Sequence, residues 1–196
     1  ELDVAGEIGI DRNIYHNGDI NTSIGFPGND EFAIITGGTT QVVVTQDNVN
    51  IADTLSFTYP TSGTGEFNGE IVKFAGFFGT VNAGDLVSLQ IDSGGPAWKR
   101  ADNLSSIKAT GLLGIAIGSS GTADGVLVRG FARSSLYSGF GSPGQKLYVD
   151  NTTGDMTITI PTTPGRYVRI VGYVIQTSAL SYGTIYFCPD STYVLL

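Results

Sequence analysis

A few groups of residues in this chain have the types and spacing that chemistry needs. Asp92-Ser93-Gly94-Gly95-Pro96 sets a serine hydroxyl beside a carboxylate and two glycines, the setting of a nucleophile in acyl transfer. Such a serine needs a histidine within reach of its hydroxyl, a carboxylate to orient that histidine, and backbone amides to hold the oxyanion. The chain has one histidine, His16, in Ile14-Tyr15-His16-Asn17-Gly18. The segment therefore reads as a turn between two strands, with Asp92 and Ser93 capping it and the glycines supplying free dihedrals. His16 could hold a transition metal if three copies met on an axis, but no second ligand stands at metal spacing, and it reads as a surface or interface residue. Asp47-Asn48-Val49-Asn50-Ile51-Ala52-Asp53 alternates oxygen ligands without the glycine and terminal glutamate of a calcium loop, and reads as a solvated turn. Carboxylate pairs such as Asp30 and Glu31, or Glu66 and Glu70, would need to face each other about 5–9.5 Å apart across a sugar to cleave it. They read as solubilising charge. The sequence predicts no catalytic residue, no cofactor and no metal.

Aromatic side chains offer the remaining chemistry, because their faces pair with the apolar faces of sugars. Most are expected in the core. Tyr137 and Phe140 lie in the polar, glycine-containing run Ser134–Ser142 and are the candidates for contact with a glycan or protein partner, since loops carry function disproportionately.

The elements that must position these residues are almost all strands. No stretch of about 12 residues shows apolar positions at helical spacing, and one helical turn near Arg100–Lys108 is the only candidate. Val, Ile, Thr, Tyr and Phe run or alternate for four to eight residues between Gly, Asn and Asp clusters. Residues 1–62 hold short segments: Leu2–Val4, Glu7–Ile10, Asn13–His16, Thr22–Phe26, Glu31–Thr36, Thr40–Thr45 and Val49–Ile51. Strands this short carry an apolar face that one chain cannot easily cover, which predicts intertwined β-shaft segments shared around a symmetry axis. The candidate interface residues are Val4, Ile8, Ile10, Ile24, Phe26, Ile34, Val42 and Val44. Residues 63–196 carry about eight longer strands at 8–12-residue spacing, which predicts an antiparallel sandwich or barrel. Asp150–Asp155 is a hairpin loop with Gly154 suited to positive φ. The apolar end, with Leu195 and Leu196, is expected to tuck into that barrel or against a neighbouring copy.

Composition narrows the function classes. Charged residues are 14% of the chain against 41% hydrophobic, below the usual quarter, and this favours subunit contacts over a fully solvated surface. Net charge is −8 and the isoelectric point about 4.4, which disfavours nucleic acid. Cys188 is the one cysteine, so no internal disulfide forms, and it is expected to be a buried small hydrophobe. No apolar run reaches membrane-spanning length.

Two stretches resemble structural proteins of tailed phages, marine and cyanobacterial phages especially. Glu1-Leu2-Asp3-Val4-Ala5-Gly6-Glu7-Ile8-Gly9-Ile10, followed by Gly18–Asp30 with its Ile24-Gly25-Phe26-Pro27-Gly28-Asn29-Asp30, is similar to fibre shaft segments. Gly84–Val87, Gly111–Ala116, Gly125–Phe131, Val168–Tyr173 and Ile185–Val194 together look like the β-rich terminal module of fibre-like virion proteins. Asp92–Pro96 resembles the nucleophile signature of trypsin-like proteases, but Ile91 replaces that family's glycine and the setting of His16 is not theirs. The phage resemblance implies a homotrimer located in the virion, a non-enzymatic fibre or spike that meets other virion proteins and a host-surface glycan or protein. A capsid decoration (cement) protein bracing the head is the alternative, and a polysaccharide depolymerase is the alternative of another class.

Overall fold

A computed structural model describes residues 9–52, 55–58, 60, 65–177 and 181–196. The chain divides into two compact units, residues 1–56 and 57–196. Val4 and Ile8, two of the expected interface residues, lie outside the described residues.

The described part of the first unit is a five-stranded antiparallel meander. Its strands are β1 (Asn13–His16), β2 (Asp19–Gly25), β3 (Phe32–Thr36), β4 (Thr39–Val44) and β5 (Val49–Ile51), hydrogen-bonded in that order. Turn chemistry sets the hairpins. Gly18 at φ +87° links β1 to β2, and Gly37 and Gly38, at φ +59° and +78°, make the two-residue turn between β3 and β4. Positive φ at both central residues matches the right-handed twist of the flanking strands, so this turn favours tight pairing. The turns are tight enough to fold each strand back at once, so the five strands pair with their sequence neighbours within the chain.

The second unit is built on a curled, half-barrel sheet. Its strands are β6 (Glu66–Val72), β7 (Leu86–Asp92), β8 (Gly95–Arg100), β9 (Leu113–Ala116), β10 (Val126–Ser134), β11 (Lys146–Val149), β12 (Met156–Thr157), β14 (Ile170–Thr177) and β15 (Gly183–Phe187), with β13 (Tyr167–Val168) and β16 (Val194–Leu195) pairing separately. The spatial order is β12-β11-β14-β15-β10-β9-β7-β8, and β6 also pairs with β10. The nine-residue β10 carries the design. One of its edges is taken by β6 from Val126 to Arg133. The other is shared end to end: β9 pairs at Val126 and Leu127, and β15 from Gly130 to Ser134. The sheet thus parts into two wings along one strand. Their inner faces meet in a single core, with Leu86, Leu113 and Ile115 from one wing and Leu147, Val171, Val174, Ile185 and Phe187 from the other.

A second, smaller core gathers around Trp98, with Val81, Val87, Ala116 and Val126. The indole is fully buried, and its N–H donates to the Phe74 carbonyl at 3.0 Å. Gly69 and Gly130 face each other across β6 and β10 at φ +154° and +141°. A Cβ on Gly130 would stand 2.2 Å from the Asn68 carbonyl oxygen, so the close approach of these strands depends on glycine. The helical turn expected near residues 100–108 is a four-residue helix, α1 (Ser106–Ala109), which starts after Ser105. No helix among the described residues is long and apolar enough to cross a membrane.

Candidate functional site

The first unit presents a side-chain array that its ladder fixes residue by residue. Residues directly opposite in antiparallel strands point to the same face. Ile14 stands opposite Ile24, Ile24 opposite Ile34, Ile34 opposite Val42, and Val42 opposite Ile51. One unbroken aliphatic row therefore crosses all five strands. Two residues along, on the same face, Phe32 lies opposite Val44 and Val44 opposite Val49. Phe26 extends β2, its N–H donating to the Arg12 carbonyl at 2.8 Å, and its ring lies 6.0 Å from that of Phe32. Phe26, Phe32 and Val44 line a shallow concavity of about 490 Å³.

This face is open. Ile14, Ile24, Phe26, Ile34 and Ile51 each expose between 38% and 48% of their surface, and Val49 exposes 61%. The sheet's buried positions, Ser23, Gly25 and Ala33, alternate with them and so fall on the opposite face. The open apolar area is on the order of 600 Å², at the top of the range for the largest patch on a typical monomer. Of the expected interface residues, Ile24, Phe26, Ile34, Val42 and Val44 come together here. Ile10 is half-buried and precedes β1, outside the ladder.

Other expected sites resolve differently. Tyr137 is not a surface residue: it is 2% exposed, and its hydroxyl donates to the Gly84 carbonyl at 2.8 Å. Burial pushes its phenol well above the usual range, so it remains a neutral donor. Phe140 stacks on it at 5.6 Å and packs against the main core. The loop is polar in composition, but a short 3-10 turn at Ser135–Tyr137 turns its aromatic side inward. Leu195 and Leu196 are not tucked into the sheet of their own chain, exposing 56% and 43%. The end is held by its backbone: β16 pairs with β13, and Leu196 N–H donates to the Arg166 carbonyl at 3.0 Å.

Asp92–Gly95 is the hairpin turn between β7 and β8, with Ser93 and Gly94 at φ +49° and +85°. The Ser93 hydroxyl donates to the Asp92 carboxylate at 3.2 Å, and Asp92 is paired with Lys99 at 2.7 Å. A hydroxyl committed to its neighbour's salt-bridged carboxylate, on a turn, is a turn residue. His16 ends β1 and is exposed. In the turn between β4 and β5, Asn50 donates to the Asn48 side chain at 2.7 Å, while Asp53 lies outside the described residues. Among the described residues no group of three or more His, Cys, Asp or Glu side chains is placed to hold a metal ion.

One buried charge has no counterpart in the sequence reading. Arg169, between β13 and β14, is 6% exposed. Its Nε donates to the Asp190 carbonyl at 2.6 Å, and one terminal nitrogen donates to the carbonyls of Ala109 and Gly111 at 2.9 and 2.6 Å. Burial lowers the pKa of this guanidinium, and the Asp190 and Tyr193 side chains oppose that shift. A flank of strand residues gives no local sign of such a contact, since its partners lie some 20 to 60 residues away. Compared with known proteins, the chain matches no family model, no curated protein and no solved structure.

Proposed function

We propose that this chain is a non-enzymatic structural subunit of a tailed-phage virion, a fibre- or spike-like protein that assembles as a homotrimer through its amino-terminal sheet. The supporting observation is the five-strand aliphatic row with its flanking Phe26, Phe32 and Val44, open on one face of a sheet whose other face holds its buried positions. Water on that face is costly, at about 25 cal/mol for each Å² of apolar surface left exposed. An area on the order of 600 Å² per chain is most of the ~800 Å² per partner that a standard protein interface buries. Copies of the same chain are the occupants always present at matching concentration, and a cyclic assembly covers the same patch on each. The sequence resemblance to fibre shafts and terminal modules supplies the number three and the virion. The low share of charged residues, 14%, agrees with a surface largely taken up by contacts. The tight backbone ladders leave the side chains, rather than exchanged strands, to make the contact.

Sedimentation equilibrium at micromolar concentration tests the assembly, with three times the 20.5 kDa chain mass as the expected result. A single-chain mass overturns it. Immunogold labelling of intact particles with an antibody to this chain tests the location: label on the tail or its fibres supports the fibre reading, label over the head replaces it with capsid decoration, and no label removes the virion from the account.

A further inference from the structure

The chain's charge is divided unevenly between its two units. Residues 1–56 hold nine Asp and Glu and one cation, Arg12, so with His16 neutral the net charge of −8 belongs entirely to the first unit. The second unit carries nine Asp and Glu against nine Lys and Arg. First units that meet face to face repel one another, because charges closer than a Debye length, about 10 Å in moderate salt, are only partly screened. A cation placed in their contact relieves that repulsion.

Arg12 is so placed. The Phe26 N–H that donates to the Arg12 carbonyl continues the β1–β2 register one step past Asn13 and Gly25. Arg12 therefore stands opposite Phe26, on the apolar face. It heads a second row across the sheet, followed by Phe26, Phe32, Val44 and Val49. Its side chain is exposed, and among the described residues it pairs with no carboxylate.

The same face holds matching acids. The concavity of about 490 Å³ lined by Phe26, Phe32 and Val44 is lined also by Asp30 and Glu31, from the segment that joins β2 to β3. Glu31 brings its carboxylate back over that segment: a Cβ on Gly28 would stand 2.8 Å from its Oε2. Neither carboxylate has a cation partner among the described residues. The other charges in the described part of this unit, Asp11, Asp19 and Asp47, are all negative and supply no second cation. Two phenyl rings and two carboxylates suit a guanidinium group, which stacks on aromatic faces and binds carboxylates through paired donors.

We infer that Arg12 of each copy enters the Phe26–Phe32 concavity of the next, its stem against the two rings and its guanidinium received by Asp30 and Glu31. The inference rests on the homotrimer proposed above and names the contact through which acidic units share one face. Cyclic symmetry repeats it three times, each copy giving one arginine and receiving one.

Sedimentation equilibrium of the whole chain over a concentration series tests it, with circular dichroism to follow the sheet. Arg12→Gln is expected to raise the trimer dissociation constant roughly a hundredfold, from about fivefold at each of the repeated contacts. Glu31→Lys separates a specific contact from diffuse charge. It makes the unit less negative, so relief of general repulsion would strengthen the trimer, whereas a second cation set against Arg12 weakens it. Arg12→Glu combined with Glu31→Lys keeps the net charge at −8 and reverses the pair. The combination is expected to bind at least about tenfold more tightly than Arg12→Glu alone. A single-chain mass for the unsubstituted protein removes the trimer and this contact with it. A trimer that is indifferent to Arg12→Gln, is strengthened by Glu31→Lys, or gains nothing from the combination overturns the contact and leaves the trimer standing. Weakening by Glu31→Lys without weakening by Arg12→Gln overturns Arg12 as the occupant and moves the contact to another residue of the neighbouring copy.

Discussion

Ile34→Glu puts a carboxylate at the centre of the aliphatic row, between Ile24 on one neighbouring strand and Val42 on the other. In the isolated chain the change costs little. Ile34 is 38% exposed, so the new side chain reaches water, and a surface substitution of this kind stays within about 0.5 kcal/mol apart from a strand-propensity loss of less than ~1 kcal/mol. In the trimer the same position is covered. Full burial of an isoleucine is worth about 1.5–3 kcal/mol, so covering the exposed 38% contributes on the order of 1 kcal/mol per copy, all of it forfeited. Desolvating a carboxylate without a partner adds a penalty of at least a few kcal/mol per copy. With the penalty taken at about 2–3 kcal/mol, three copies together lose on the order of 9–12 kcal/mol, or about six to nine decades in the trimer dissociation constant at about 1.4 kcal/mol per decade. The assay is sedimentation equilibrium over a concentration series, with circular dichroism to show that the sheet persists. Tyr15→Glu is the control, because Tyr15 lies opposite Ser23 on the other face of the same sheet and is already 53% exposed. The expected outcome is a folded single chain for Ile34→Glu and an unchanged trimer for Tyr15→Glu. A trimer that survives Ile34→Glu with its affinity intact refutes the reasoning.

Two further outcomes follow from the second unit. Gly130→Ala would drive a Cβ to 2.2 Å from the Asn68 carbonyl oxygen at a φ of +141°, and overpacking with backbone strain should lower stability by about 3–5 kcal/mol in urea denaturation. Asp155 has its pKa raised by burial first and by Asp150 and Asp85 next, so its charged form is disfavoured in the folded state. Its ionisation therefore costs stability above the folded pKa, and the cost disappears below the unfolded value of about 3.9. Asp155→Asn is expected to raise the melting temperature at neutral pH and to give no gain below about pH 4, as calorimetry at both pH values would show.

What the sequence made legible was what short range controls. The turns at Asp92–Gly95 and Asp150–Asp155 appear where their residue types demanded, because a positive φ is a local requirement that glycine meets most readily, as Gly94 and Gly154 do. The Ile24, Ile34, Val42 and Val44 face was visible for the same reason, since a period of two needs no knowledge of the rest of the chain. Strand β8 was not. Gly95-Pro96-Ala97-Trp98-Lys99-Arg100 has no alternation and opens with a proline, yet it is the terminal strand of the order, where a proline's missing N–H costs no ladder bond. Tyr137 failed for the opposite cause. Its polar neighbours suggested solvent, and the Gly84 carbonyl that buries it is 53 residues away. Arg169 belongs to the same class: a residue whose meaning lies in carbonyls brought from distant segments cannot be read from the valine and isoleucine beside it.

The shared edge of β10 bears on how the second unit comes apart. Because β9 and β15 are both fastened to that one strand, and β6 covers its other side, neither wing has an anchorage of its own. Pulling out the central hinge pin frees both leaves of the door together. Amide protons along Val126–Ser134 should accordingly be among the last to exchange, and heat should melt the two halves in one event rather than in sequence.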